Sequence, residues 1–445
     1  MFHTSGRRST RLHYHFEVPG LSRFAVCFTL GALWAAQPGG ERLTLEQVVE
    51  EALSRNLRLL AERFNVSIGE ARLMQARLRP NPVLSGEANY LDWLGAGIDP
   101  AITAAGPTEY SARIDYIVER GGKRQSRIAV AEAAKAVAQL ELLNATRTLL
   151  LDVQSAFTDV LLAKENLALA QENLDVFQRI VAVNQTRVQS GDLAKVELVR
   201  SEVAALQFRN QVRQAEMRLR LSKIRLQTLM GRTVFVSDFE VAGDQRRDQL
   251  SLGRDQIIAT ALAQRPDLGA LRRDQARSRA EIRLQQAQGK MDWTIGTGYN
   301  RQMNVGPGLR GDTMGVFFSM PLPVYNRNQG EIERARQELE QINARIRSLE
   351  QEITAEAANA YEQYATAKNL LETIEREMLE QARRVREVTE FSYRRGEATF
   401  VELLDAQRAF NETIQGFNEA RAEYSRSLFV IESIVSGGPG QGGGR

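Results

Sequence analysis

The sequence of 445 residues contains one cysteine, Cys27, and three histidines, His3, His13 and His15. All four lie in an N-terminal segment that has the features of a cleaved leader. Without that segment the chain has no thiol and no imidazole, the usual nucleophile, general base and soft metal ligand of protein sites. The sequence therefore predicts no catalytic site, no cofactor site and no resident metal site, and the protein is not expected to be an enzyme.

Proline is also scarce, with 11 residues in the chain, and none falls within residues 122–189 or 327–394. Because proline ends or kinks helices, these two stretches permit helices of unusual length. Long hydrophobic runs are missing as well. The apolar run F24-A-V-C-F-T-L-G-A-L-W-A-A36 has 13 residues, whereas a membrane-spanning helix needs about 20.

Residues 1–36 are predicted to be a secretory signal peptide, with a buried N-terminal helix as the alternative. Arginines precede the apolar run and polar Q37-P-G-G follows it, which is the order found in signal peptides. The four arginines and one glutamate of this segment account for the formal net charge of +3, so residues 37–445 carry none. A neutral chain has no excess charge to attract nucleic acid, and no nucleic-acid partner is predicted.

Residues 37–231 form the first of two predicted repeats. A helical pattern runs from Leu45 to about Arg79, where P80-N-P82 ends it. Strand-like segments follow at 83–93 and 110–118, separated by a loop at about 94–108. A helix is then predicted over 122–189, a turn at S190-G-D192, and a second helix over about 193–230.

The long predicted helices carry a coiled-coil seam, in which apolar residues alternate steps of four and three. The first seam comprises the pairs Leu149/Val153, Ala156/Val160, Ala163/Leu167, Ala170/Leu174 and Phe177/Val181, and Leu198, Ala205, Val212, Leu219 and Leu226 continue it at seven-residue spacing.

Residues 232–254 are predicted to be a linker with a possible short strand at Thr233–Val236, and the pattern then recurs over 255–436. Strands are predicted at 293–303 and 313–320, and a long helix at 327–394. Its predicted seam comprises Ile353/Ala357, Ala360/Tyr364, Ala367/Leu371, Ile374/Met378 and Gln381/Val385, continued by Leu403, Phe410, Phe417, Tyr424 and Ile431. Residues 437–445 are glycine-rich and are predicted to be a disordered tail.

Four strands of about ten residues each are long enough to cross an outer membrane. Four strands cannot close a barrel, because about eight is the usual minimum, so several chains must contribute jointly. Trp93 and Trp293 fall in corresponding strands, where aromatic residues suit a membrane interface. A soluble sheet capped by aromatic residues is the alternative, but such a sheet would not account for two helices of this length.

The whole mature chain resembles TolC-type outer-membrane efflux channels. The resemblance is carried by L43-T-L-E-Q-V-V-E-E-A-L, R79-P-N-P82, E119-R-G-G-K-R124, S319-M-P-L-P-V-Y-N-R-N-Q-G330 and the turns at Arg187–Gly191 and Arg395–Gly396. The second and third strings from the end of each junction are most similar to the heavy-metal, or Czc-type, branch that serves resistance-nodulation-division pumps.

The family implies a mainly α fold with a transmembrane β-barrel segment. The duplicated helix-strand-strand-long helix-helix unit would assemble as a homotrimer, with a twelve-stranded barrel in outer-membrane lipid and a periplasmic α-helical coiled-coil barrel. A periplasmic adaptor, or membrane fusion protein, and an inner-membrane resistance-nodulation-division pump are the implied partners.

Three groups of site residues follow from the resemblance and the strand alternation. Adaptor docking is expected at the helix turns, at Gly191, Leu193, Val196, Gly396, Ala398 and Val401, where an ordinary glycine turn is the alternative. An acidic aperture is expected from Asp192, Glu197, Glu397, Glu402 and Asp405, where solvated helix ends are the alternative. The barrel lumen is expected to be lined by Ser111, Arg113, Asp115, Thr294, Asn300 and Thr313.

The predicted function is a passive exit duct of a tripartite efflux system, with divalent heavy-metal cations as the substrates. Efflux of organic compounds or drugs, and type I polypeptide secretion through the same fold, remain alternatives because the partner decides the cargo. A soluble coiled-coil scaffold is a third hypothesis, and the leader and the four strands argue against it.

Overall fold

A computed structural model describes residues 42–91, 108–236, 239–303 and 311–436. The predicted leader, Trp93, most of the loop at 94–108 and the tail at 437–445 lie outside these residues. The first half contains, in order, β1 (Arg42–Leu43), α1 (Leu45–Arg55), α2 (Leu57–Arg77), β2 (Val83–Asn89), β3 (Glu109–Val118), α3 (Lys123–Gln189) and α4 (Lys195–Leu229).

The second half repeats this order of elements. It contains β4 (Glu240–Val241), α5 (Arg254–Gln264), α6 (Pro266–Gln288), β5 (Trp293–Gln302), β6 (Asp312–Ser319), α7 (Gln329–Thr373), a π-helical turn (Ile374–Met378), α8 (Leu379–Arg395) and α9 (Phe400–Val435). The duplication of helices, two strands, a long helix and a further helix is therefore present in the structure.

The predicted single helix from Leu45 to Arg79 is wrong in one respect, because it is broken at Asn56. Asn56 has an extended backbone, and its side-chain oxygen accepts the N–H groups of Arg58 and Leu59 at the start of α2. Its side-chain Nδ2 also donates to the Leu229 carbonyl at 2.8 Å. Asparagine favours such caps because its side chain competes with the helical backbone. The break fixes α1 against the end of α4.

The predicted strand at Thr233–Val236 is also wrong. These residues form no strand, because the side-chain amide of Gln227 takes the place of a neighbouring strand. Gln227 donates to the Val236 carbonyl at 3.0 Å and accepts the Val236 N–H at 2.8 Å. The strand of this segment is instead β4, which pairs in parallel with β1.

The four longer strands form one antiparallel sheet in the order β2-β3-β5-β6. The hairpins β2-β3 and β5-β6 come from the two halves, and β3 pairs with β5 at the centre. Consequently β2 and β6 are the edge strands of the sheet in the described part of the chain. The register aligns Glu87, Ser111, Asn300 and Thr313 in one row across all four strands.

The long helix α3 has 67 residues, which corresponds to about 100 Å along its axis. Its predicted seam is confirmed: Leu149, Val153, Ala156, Val160 and Phe177 are all buried. No helix among the described residues combines the length and the apolar character needed to cross a membrane.

The seam of the second long helix is confirmed as far as Ile374 but is wrong beyond it. Gln381 is exposed, and Met378 and Val385 are 46% and 54% exposed. Half-buried positions resume one residue later, at Ala382 and Arg386. The cause is the π-helical turn at Ile374–Met378, which accommodates one additional residue and rotates the following helix back into phase.

Two glycines at helix ends provide a matched test of local packing. Gly191 and Gly231 have φ angles of +84° and +76°, so alanine at either position adopts a strained backbone. A Cβ atom at Gly231 would overlap the Arg55 carbonyl, whereas one at Gly191 would have no described atom within 4 Å.

We expect Gly191→Ala to lower the free energy of unfolding by about 1 kcal/mol, from backbone strain alone. Gly231→Ala adds overpacking at Arg55 and should cost about 2–4 kcal/mol. Urea denaturation of the two purified variants measures the difference. Equal losses for the two variants would contradict the tight contact between α1 and the end of α4.

Candidate functional site

The two helix-to-helix turns, residues 190–194 and 396–399, are called the tips. Each begins with a glycine in the left-handed region, Gly191 with φ +84° and Gly396 with φ +81°. The Gly191 N–H donates to the Val188 carbonyl at 3.2 Å, and the Gly396 N–H donates to the Tyr393 carbonyl at 3.0 Å. Glycine serves here because it reaches this conformation without steric cost, which allows a long helix to end sharply.

The tips of the two halves are bonded to each other. The Arg187 side chain donates to the Tyr393 carbonyl at 3.4 Å. The Tyr393 hydroxyl donates to the Asn184 side-chain oxygen at 2.8 Å, in a buried contact. Burial raises the pKa of the Tyr393 hydroxyl above its ordinary value. Sequence analysis missed this link, although polar Asn184 on an otherwise apolar seam was an available signal.

An aromatic cluster packs immediately behind the tips. The Phe177 and Phe208 rings stack with centroids 4.3 Å apart, and Phe400 contacts Phe177 edge-on at 6.4 Å. Tyr393 lies 6.1 Å from Phe400. Because α3 and α4 belong to the first half and α8 and α9 to the second, this cluster fixes the two tips side by side.

The six predicted docking residues divide by exposure. Gly191, Val196, Gly396 and Val401 are exposed, whereas Leu193 and Ala398 are half-buried. Ala398 packs against the aromatic cluster, so its side chain contributes to the core behind the tip. The apolar side chains that remain available at the tips are those of Val196 and Val401, each 54% exposed.

The five predicted aperture carboxylates are mostly engaged locally. Asp192 accepts the Ser190 hydroxyl at 2.8 Å, Glu197 pairs with Arg200 at 2.7 Å and Asp405 lies 3.8 Å from Arg408. Glu402 accepts the Thr399 N–H at 2.7 Å in a capping box at the start of α9. In the described ranges, the side chain of Glu397 has neither a hydrogen bond nor an ion pair. No group of three or more acidic, histidine or cysteine side chains in those ranges is placed to hold a metal ion.

Hydrogen bonds from the Thr399 N–H and hydroxyl lower the pKa of Glu402 below its ordinary value of 4.5. Its stabilising effect is therefore present above pH 4.5 and is lost as the pH falls through the lowered value. We expect a neutral Glu402→Gln variant to be less stable than wild type at neutral pH and equal to it in strong acid. Glutamine still completes a capping box, so Glu402→Ala should be less stable than Glu402→Gln at every pH. Thermal denaturation across pH measures both differences, and a gap independent of pH would contradict this role.

All six predicted lumen residues lie on one face of the four-stranded sheet. Ser111, Asn300 and Thr313 are neighbours in one row, and Arg113 and Asp115 lie two and four residues along β3. The Arg113 side chain donates to Asp115 at 2.8 Å and covers the Phe317 ring at 4.3 Å. A cavity of about 340 Å³ opens on this face. The opposite face is apolar and carries Ile114, Val316 and Phe318, which are 50%, 83% and 62% exposed.

Buried amide side chains join α3 to α9 between the tips and the sheet. Gln407 donates to the side-chain oxygens of Asn173 at 2.9 Å and Asn411 at 3.0 Å, and Asn418 donates to Asn166 at 3.1 Å. Sequence analysis missed this series, although Asn166 and Asn173 are seven residues apart on α3. Buried amides in a coiled coil specify the register of the paired helices.

The profile of the family described as "Outer membrane efflux protein" matches residues 48–232 and 257–435, which is most of the chain. The chain belongs to the outer membrane efflux protein family. The resemblance to TolC-type channels is thereby confirmed, and an outer-membrane location and an efflux-channel role follow from membership. The two matched segments both contain a tip, so the tips are part of the family architecture.

The cobalt-zinc-cadmium resistance protein CzcC of Cupriavidus metallidurans is similar to this chain, with 24% identity over 366 residues. The alignment covers 82% of this chain and 83% of CzcC. Among solved structures, CusC has a TM-score of 0.72 at 16% identity, covering 88% of this chain and 92% of CusC. The CmeC outer membrane channel of Campylobacter jejuni has a TM-score of 0.72 at 16% identity, covering 94% of each chain. These structural likenesses establish the fold, and the neighbours are channel proteins.

Proposed function

We propose that three copies of this chain form a passive exit duct across the outer membrane. The observation that carries the proposal is the four-stranded sheet, whose edge strands β2 and β6 have no partner in the described residues of one chain. Uncovered strand edges are not viable in lipid. Three copies would pair β2 of one with β6 of the next and close a twelve-stranded barrel.

The two faces of the sheet support this arrangement. The polar face with Ser111, Arg113 and Asn300 would line water, and the apolar face with Ile114 and Val316 would contact lipid. The long helices would continue from the barrel into the periplasm as an α-helical barrel.

Exposed apolar stripes on the helices support association between copies. Val199, Val203 and Leu206 lie on one face of α4 and are 54%, 49% and 53% exposed. Phe64 and Ile68 form a similar stripe on α2, with 58% and 47% exposed. Side chains at this spacing pack between helices, so neighbouring copies would bury them.

The tips would dock the hairpin of a periplasmic adaptor, and an inner-membrane resistance-nodulation-division pump would supply the energy. Val196 and Val401 offer exposed apolar contacts, and Gly191 and Gly396 allow close approach. Glu397, together with Asp192, Glu197, Glu402 and Asp405, would form an acidic entrance that favours cations once three copies bring their tips together.

Divalent heavy-metal cations are the proposed substrates, because the similar protein CzcC is named for resistance to cobalt, zinc and cadmium. Hard and soft organic toxicants, or a secreted polypeptide, are the alternative cargo. A duct that bound its cargo tightly would conduct slowly. The described residues place no metal-holding cluster in the path of the cargo.

We expect deletion of the gene to sensitise the host to divalent metals while leaving resistance to dyes, detergents and antibiotics unchanged. Complementation with the wild-type gene should restore growth, whereas Val196→Asp with Val401→Asp should not, because charged side chains would oppose docking. Val234→Asp is the matched control, since Val234 is 74% exposed and lies beyond the opposite end of α4 from the tip. Sensitivity to organic compounds with unchanged metal resistance would overturn the metal assignment.

A further inference from the structure

Basic side chains are concentrated where the sheet joins the long helices. Two of them are neutralised: Lys123 pairs with Asp292 at 2.7 Å, and Arg127 pairs with Glu119. The guanidinium groups of Arg79, Arg120 and Arg124 have no acidic partner within the residues that the structure covers. These three arginines are called the junction arginines. Arg124 is held in place by a 2.7 Å hydrogen bond from its Nε to the Arg77 carbonyl, which leaves its terminal nitrogens available.

The junction arginines border the apolar face of the sheet. The Arg120 guanidinium lies 4.1 Å from the centre of the Trp293 ring, and Trp293 pairs with Val118 and contacts Phe318 edge-on at 6.0 Å. Alternation along β5 places Trp293 on the same face as Ile295 and Tyr299, opposite Thr294 and Asn300. The cation therefore lies over an aromatic ring at the edge of an exposed apolar surface.

Arg79 and Arg124 lie beside the same surface. Both line an open cavity of about 300 Å³, together with Tyr116 and Val118 of the apolar face of β3. The cavity thus combines guanidinium groups with apolar walls. A small free anion would leave those walls exposed to water, whereas a lipid would cover them with its acyl chain.

The chain that leaves β6 at this end of the sheet continues the apolar border. Leu322, Val324 and Tyr325 are 72%, 63% and 91% exposed. Exposed apolar side chains next to unpaired cations are typical of surfaces that contact the headgroup region of a bilayer.

We propose that the junction arginines bind the phosphate of an anionic phospholipid at the periplasmic surface of the outer membrane. The inference rests on the proposed function, because it takes the apolar face of the sheet to be the lipid-facing wall. Guanidinium groups bind phosphate in a planar, bidentate geometry. Trp293 would lie at the boundary between headgroups and acyl chains, with Arg120 reaching from its ring to the phosphate. The site would fix the depth of the barrel and anchor the start of α3.

The test compares lipid binding by two matched triple variants of the full chain. One is Arg79→Gln/Arg120→Gln/Arg124→Gln. The other is the control Arg273→Gln/Arg345→Gln/Arg347→Gln, whose arginines are exposed and have no ion pair in the described residues of α6 and α7. The detergent-solubilised proteins are titrated with phosphatidylglycerol, phosphatidylcholine and inorganic phosphate, and bound lipid is counted by native mass spectrometry.

We expect wild type and control to bind phosphatidylglycerol equally and more tightly than phosphatidylcholine, with binding that weakens as salt is added. The junction variant should bind phosphatidylglycerol about 10- to 100-fold more weakly. Undiminished binding by the junction variant would overturn the proposal. Inorganic phosphate that bound as tightly as the lipid would also overturn it, in favour of a free-anion site.

Two further measurements keep the result interpretable. If the triple variant does not fold, the single variant Arg120→Gln and the salt dependence of the wild type replace it, and salt-independent binding would refute the site. Membrane fractionation and the mass of the wild-type assembly are measured on the same preparation. A wild type that is not an outer-membrane trimer would refute the proposed function, whereas a trimer with unchanged lipid affinity in the variant would refute only the lipid site.

Discussion

Deletion of Glu375 from the π-helical turn should leave the fold intact, whereas deletion of Gln171 from α3 should destabilise it strongly. Each deletion removes one exposed residue from a long helix. In an ordinary α-helix such a loss rotates everything beyond it by about 100°. Beyond Gln171 this would turn the buried side chains of Phe177 and Ile180 out of the core. The expected cost is about 3 kcal/mol or more.

The π-helical turn reverses this expectation for Glu375. Buried positions at Leu371 and Ile374 are followed by half-buried positions at Leu379 and Ala382, so one step is five residues rather than four. Removal of one residue there converts the step to four, and an uninterrupted α-helix keeps both flanking seams in phase. Thermal denaturation of both deletion variants, with helical content from circular dichroism, measures the contrast. A loss of stability for the Glu375 deletion as large as that for Gln171 would contradict the role assigned to the π-helical turn.

The same turn illustrates what the sequence could and could not provide. Leu149 and Ile353 occupy equivalent seam positions 204 residues apart, whereas the tip glycines Gly191 and Gly396 are 205 apart. The extra residue was therefore visible in the spacing. Its location was not, because a seam of alternating steps continues to find apolar side chains such as Met378 and Val385 on the wrong face.

The elements were predictable where hydrophobic periodicity was long and regular. The strands β3, β5 and β6 and the helices α3 and α4 begin and end within a few residues of the predicted positions. The break at Asn56 and the irregular course of Thr233–Val236 depend on single side-chain hydrogen bonds to distant backbone, which periodicity does not register.

The candidate site was predictable only in part, for a related reason. The glycine turns and the polar face of the sheet follow from local pattern. The bonds from Arg187 to Tyr393 and from Tyr393 to Asn184 join residues more than 200 positions apart. They depend on how the two halves pack, and neither half alone contains the information.

Closure of the sheet by three copies is the second large effect that we expect. Within one chain β2 and β6 are separated by β3 and β5, a distance of about 14 Å across the sheet. That distance exceeds the reach of a disulfide, which needs Cα atoms within about 7 Å. Cysteines placed on β2 and β6 can therefore be joined only between copies.

Disulfide cross-linking of these edges in isolated outer membranes tests the central claim most directly. Cys27→Ser removes the one cysteine of the sequence. Leu84→Cys on β2 is then combined in turn with Met314→Cys, Val316→Cys and Phe318→Cys on β6, because the register between copies is to be found. Leu84→Cys alone is the control. The account predicts that at least one pair gives a covalent trimer on a denaturing gel and that the control gives none. Monomers from every pair after complete oxidation would contradict a barrel built from three copies.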